Sequence, residues 1–182
     1  MKRCLFCSIN MKIYRRLVPK MAKDIIRMLV ADKMIELEEG RREEAELDVA
    51  GVLVEHLNAE EQLASDAKDH MTRHGFSQEK YGAVRRALAE QRQIKIGDEA
   101  FDFLLDKGVK ALYQSKNIAE VFAEDHDLRK RIRDAMSKYA GVDEELDREV
   151  RSRLKNLREG TGEWDIEYQK AIRQLKHVKG IG

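Results

Sequence analysis

The chain has 182 residues, enough to bury a hydrophobic core as one domain or as two compact subdomains. Charged residues make up 38% of it and aromatic residues 6%, with a single proline, the profile of long helices laced with salt bridges. The net charge is +1, split as 15 Lys+Arg against 16 Asp+Glu in residues 11–94 and 18 against 18 in residues 95–182, so there is no basic domain and any nucleic-acid binding needs a local patch.

In chain order, the leader MKRCLFCSIN is too short and too polar for a signal peptide or a membrane span, and no later apolar run approaches the length of one. A cytoplasmic protein with no membrane contact is expected. A second start, Met11-Lys12-Ile13-Tyr14, follows at once, so residues 1–10 read as a start-site extension or a flexible leader. Cys4 and Cys7 form a lone CxxC with no second pair downstream and no strand-turn-helix context, which predicts inert thiols.

Apolar residues then recur at i, i+3/i+4, i+7, the spacing that places side chains on one helical stripe. They predict helices over about 14–31, 41–57, 60–74 and 77–92, then over 98–114, 125–140, 143–159 and 163–178. Asn58 three before Glu61 and Asn117 three before Glu120 resemble capping boxes, and Ser77 and Thr161 are further caps. Gly40, Gly75, Gly141 and Gly160 fall at the breaks.

A shift of 83 pairs Val18 with Phe101, Met21 with Leu104, Ile26 with Val109, Leu29 with Leu112 and Ile35 with Ile118. The same shift carries Ala45, Val49, Val52 and Leu53 onto Leu128, Ile132, Ala135 and Met136, and Leu63, Ala67 and Met71 onto Leu146, Val150 and Leu154. With one extra residue, Val84, Ala87 and Leu88 meet Tyr168, Ala171 and Ile172. The expected fold is all-α: a helical unit over 11–94 and a similar one over 95–182, four helices each, packed together and joined near Gln93–Gly97.

The runs MKIYRRLVPKMAKDI from Met11, EEAELDVAGVL, VFAEDHDLRKRIR and VDEELDREVRSRLKNLREGTGEWDIEYQK together resemble the bacterial family called domain of unknown function 507, across residues 11–182. The resemblance implies a helical bacterial protein of unassigned activity. It carries over no catalytic residue.

Among candidate sites, Glu124, Asp125, His126 and Asp127 read as helix-start chemistry with Asp125 as N-cap, because adjacent helical side chains diverge and cannot converge on one ion. His70 and His74 share a helix face with Asp66 one turn earlier, half of a zinc site without its third ligand; the shift of 83 sets His74 against Leu157 and suggests a half-buried packing role. Glu46 and Glu90 are candidate buried acids. No phosphate-cradling or nucleophile-turn motif occurs. No cofactor, catalytic residue or metal ligand is assigned.

Gly75-Phe76-Ser77 between two helices imitates a helix-turn-helix, with Arg85 and Arg86 late in the second. With Lys12, Arg15, Arg16, Lys20 and Lys23 these arginines form the candidate nucleic-acid contacts. An acidic segment, Glu36 to Asp48, is placed to pair with the first basic helix instead. Trp164 and Tyr168 lie on the last apolar stripe, as core or as an interface to a second chain. The leading expectation is a non-enzymatic scaffold that acts by protein–protein contact with a partner or a second copy of itself. Nucleic-acid binding is the alternative.

Overall fold

The computed structural model describes residues 13–139, 142–157 and 162–180. A 3-10 turn at Arg15–Leu17 leads into α1, Val18–Ala31, where Pro19 sits in the first turn and its missing N–H costs no helical bond. Strand β1, Ile35–Leu37, precedes α2, Arg42–His74, which runs unbroken for 33 residues. It stops at Gly75, whose φ of 61° places it in the left-handed region and lets the Phe76 N–H reach the Met71 carbonyl at 3.0 Å. After a 3-10 turn at Gln78–Lys80 come α3, Tyr81–Gln91, α4, Asp98–Gln114, and β2, Ile118–Val121. The described chain ends with α5, Asp125–Ser137, α6, Val142–Arg153, and α7, Gly162–Val178.

The order helix–strand–helix thus occurs twice, as α1-β1-α2 and as α4-β2-α5. The two strands pair antiparallel, Ile35 against Val121 and Leu37 against Ile118, with an irregularity between Glu36 and Leu37. Each of α1 and α4 packs against both α2 and α5. One main core results, and it draws on both sides of Gln93–Gly97: Met21, Ile25, Ile26 and Leu29 from α1, Val49 and Leu53 from α2, Leu104, Leu105 and Leu112 from α4, and Leu128, Ile132 and Met136 from α5. Each such side chain, fully removed from water, contributes about 1.5–3 kcal/mol before chain entropy is subtracted. At Gly108 a Cβ would stand 3.7 Å from Ile132 Cδ1, an ordinary contact, so α4 and α5 approach closely there.

Two lesser clusters extend from this core. The second half of α2 buries Leu63, Ala67 and Met71, and α3, packed along it, buries Ala89. Leu146 and Val150 of α6 and Leu175 of α7 enclose Tyr14, with Leu17 beside them.

Polar contacts across the main core recur at the offset of 83. Asp48 of α2 accepts from Ser115 Oγ at 2.5 Å and from Asn117 Nδ2 at 2.9 Å, holding the turn after α4. The positions 83 away from Asp48 and Ser115 are Arg131 and Asp32, and these pair at 2.5 Å to hold the turn after α1.

The all-α expectation holds in outline, with particular corrections. Helices expected over 41–57 and 60–74 are one helix. Asn58 does not cap; its Oδ1 accepts from Arg15 Nη2 at 2.6 Å on the outer face of α2. Asn117 caps no helix but precedes β2, and the paired strands lie outside an all-helical reading. Asp125 is the first helical residue of α5 behind the capping position Glu124, and it accepts from the Tyr113 hydroxyl at 2.9 Å. Ala87, expected on the apolar stripe, is exposed. The leader with Cys4 and Cys7, Lys12, Gly141, Gly160 and Thr161 lie outside the described residues.

Candidate functional site

The expected cations are dispersed. Arg15 bonds Asn58 and Glu61 of α2, the latter at 3.0 Å. Arg85 faces back to Glu60 at 3.5 Å, half-buried, and its Nε is buried without a partner. Helix α3 runs back along α2: Tyr81 lies beside Lys68 and Met71, and Ile94, just beyond α3, beside Val52 and His56. Arg86 is exposed on another side. Arg16, in the 3-10 turn before α1, and Lys20 and Lys23 of α1 are exposed and have no ion pair among the described residues. The acidic segment does not neutralise α1, because Arg27 pairs with Asp24 of its own helix at 2.7 Å and Asp48 is taken by Ser115 and Asn117.

His70 and His74 do not face a common ion. Their ring centroids are 4.3 Å apart, and Phe76 joins them, 5.6 Å from His74. His74 is exposed, which corrects its expected half-burial. Asp66 accepts from Arg92 and Gln62, and the Arg92 bond, first among the causes, holds its carboxyl below the ordinary range. Among the described residues no group of three or more His, Cys, Asp or Glu converges as a metal requires. Glu124, Asp125, His126 and Asp127 are all exposed, as is Glu90, whereas Glu46 is half-buried.

Trp164 and Tyr168 stack at 4.8 Å on α7, and both engage α6: the Tyr168 hydroxyl donates to Asp147 at 2.6 Å and the Arg151 guanidinium lies 5.6 Å from the Trp164 ring centre. That hydroxyl, more than Arg151, pulls the Asp147 carboxyl below its ordinary value.

The junction between α3 and α4 is where unusual features collect. A cleft of about 600 Å³ opens there, with Ala89, Ile94, Ile96 and Phe103 among its lining and Arg86, Glu90, Lys95 and Glu99 at its edges. The chain turns into it through Gln93, at φ 55°, and leaves through Gly97, at φ 65°. Behind it, sharing Gln93, Ile94, Lys95 and Phe103, a smaller cavity of about 110 Å³ is lined by Val52, Glu55, His56, Ala59 and Lys107.

His56 is the one buried polar side chain among the described residues, 7% exposed. Its ring lies 6.1 Å from Phe103 and takes no hydrogen bond among the described residues. Burial lowers its pKa, partly opposed by Glu60 one turn along. Its ring nitrogens are not fully buried, so the ring borders the cavity as a polar edge within reach of a small molecule. His56 was not among the candidates from sequence. Its signal was present: it interrupts the apolar stripe of α2 at the position 83 before Tyr139.

Fold and site together define a predominantly helical protein with one interleaved core and a cleft at the junction of its halves. The profile of the family described as Protein of unknown function (DUF507) matches residues 11–181, nearly the whole chain, and the protein belongs to that family. A search of curated proteins finds no match to it. No helix among the described residues is long and apolar enough to cross a membrane.

Proposed function

We propose that this chain is a non-enzymatic scaffold or adaptor of the bacterial cytoplasm, built from a duplicated helical unit, whose work is to hold a segment of a protein partner in the cleft between α3 and α4. The observation that carries the reading is the cleft's make-up: apolar Ala89, Ile94, Ile96 and Phe103 between charges of both signs, with the His56 ring bordering the smaller cavity behind them. Apolar floors with a few placed polar groups are the usual form of a binding pocket. The duplication is supported by the paired contacts Asp48–Ser115 and Arg131–Asp32 at one offset.

The test is a photo-crosslinking residue placed in cells at exposed Arg86 and Glu90, with exposed Lys110 of α4 as control. A discrete adduct from the two cleft positions but not from Lys110 is expected, and an adduct of twice the chain mass identifies the partner as a second copy. Equal crosslinking at all three positions, or none, overturns the reading.

Nucleic-acid binding keeps one specific support, the stripe Arg16, Lys20 and Lys23. Three phosphate contacts make affinity fall with salt at a log–log slope of roughly −2 to −3. Fluorescence anisotropy at low salt, with the double variant Lys20→Glu, Lys23→Glu for comparison, decides it; no binding to DNA or RNA removes this second reading.

A further inference from the structure

We infer that the cavity between His56 and Lys107 is a carboxylate-binding site for a short aliphatic acid group. The inference rests on reading the α3–α4 cleft as a binding surface and names the chemistry recognised at its inner end.

The warrant is the opposite flank of the same core. There Tyr139, in the turn after α5, donates its hydroxyl to Asp24 of α1 at 2.6 Å, and Arg27 pairs with the same carboxylate at 2.7 Å. That flank holds a ring donor, a cation and a carboxylate. Shifted by 83, Tyr139 corresponds to His56 and Asp24 to Lys107. The near flank therefore keeps a ring donor, His56, and supplies a cation, Lys107, but no carboxylate of the described residues bonds to either. About 110 Å³ of space lies between elements that meet directly on the other side.

The other groups facing the cavity fit an anion with a small hydrocarbon body. Lys107 lies 5.5 Å from the Phe103 ring centre and has no ion pair among the described residues. Lys95 is engaged by Glu99 at 2.8 Å, Glu60 by Arg85 at 3.5 Å, and Glu55 is exposed at the rim. Val52, Ala59, Ile94 and Phe103 complete the wall with apolar atoms. The space equals roughly three to four waters at about 30 Å³ each, which suits a carboxylate group on a body of two to four carbons. One acid group of this size exists as a free short-chain acid and as the side chain of a glutamate in a partner segment, and the chemistry of the cavity is common to both.

The test follows the ring resonances of His56 in the full-length protein by NMR while sodium butyrate, propylammonium chloride and butyramide are titrated in turn. Butyrate is expected to shift them saturably, at least tenfold more tightly than either control, and Lys107→Met is expected to weaken butyrate at least tenfold. Lys107 is exposed, and unchanged thermal melting of that variant shows that the fold is kept. Absence of a butyrate shift, equal binding of the amine, or full affinity in Lys107→Met overturns the inference and leaves the cavity to water. A blocked hexapeptide with a single glutamate separates the two sources: binding tenfold tighter than butyrate assigns the acid to a partner segment, and weaker binding assigns it to a free acid. Cleft crosslinks without a butyrate response leave the scaffold reading standing and this inference fallen; a butyrate response without crosslinks does the reverse.

Discussion

One flank of the main core is closed and the other is open. On the closed flank a buried phenol reaches from the turn after α5 to α1 and ends on a carboxylate; burial first, then that bond, holds the Tyr139 phenol well above its ordinary pKa. On the open flank an imidazole of smaller reach faces a lysine, two groups that repel once the histidine is protonated, and a void remains. The backbone frame is the same helix pairing on both sides, α1 with α5 and α2 with α4. Two side-chain identities therefore decide whether a junction between helices is structural cement or an accessible chamber.

The comparison can be broken from the closed side first. Tyr139→Ala removes a buried ring and strands Asp24, and urea denaturation is expected to show a loss of about 3–5 kcal/mol. Next come the two turns related by the offset. Asp48→Ala leaves half-buried Ser115 and Asn117 without their acceptor and is expected to cost about 1–3 kcal/mol, whereas Asp32→Ala breaks only a more exposed ion pair and should cost at most about 1 kcal/mol. Equal losses would show that the two turns are not held differently. The open flank can then be closed by design: His56→Tyr with Lys107→Asp copies the far contact, and a double-mutant cycle is expected to give a favourable coupling of about 1 kcal/mol with loss of the butyrate response.

The smallest effect is in pH. Because burial keeps His56 below the ordinary 6.5, the unfolded chain binds the proton first as pH falls. His56 thus contributes stability that is complete above pH 6.5 and is lost as pH falls through its folded-state value. His56→Phe should flatten that decline in melting temperature, and an unchanged slope would place the titration elsewhere.

Much of this was legible in the residues, because burial leaves a period. The stripes Val18, Met21, Ile26, Leu29 and their counterparts Phe101, Leu104, Val109, Leu112 are buried as their spacing predicts. Local signals failed where tertiary contacts outbid them. Asn58 and Glu61 look like a helix start, yet both are drawn to Arg15 on the surface of a continuous α2. In the corresponding stretch 83 further on, α5 ends at Ser137 and α6 begins at Val142. Strands of three and four residues are too short to display an alternation, so their pairing was invisible. The cavity was missed for a different reason: a void is a property of two helices together, and neither His56 nor Lys107 announces it alone.

The packing of Tyr14 and Leu17 against α6 and α7 has an outcome for synthesis on the ribosome. Tyr14 finds the neighbours that enclose it only after Leu175 has left the exit tunnel, and α1 must likewise wait for α5. For most of translation this polypeptide carries an unfinished apolar surface, so nascent-chain shielding by chaperones matters more to it than to a protein whose halves mature one after the other.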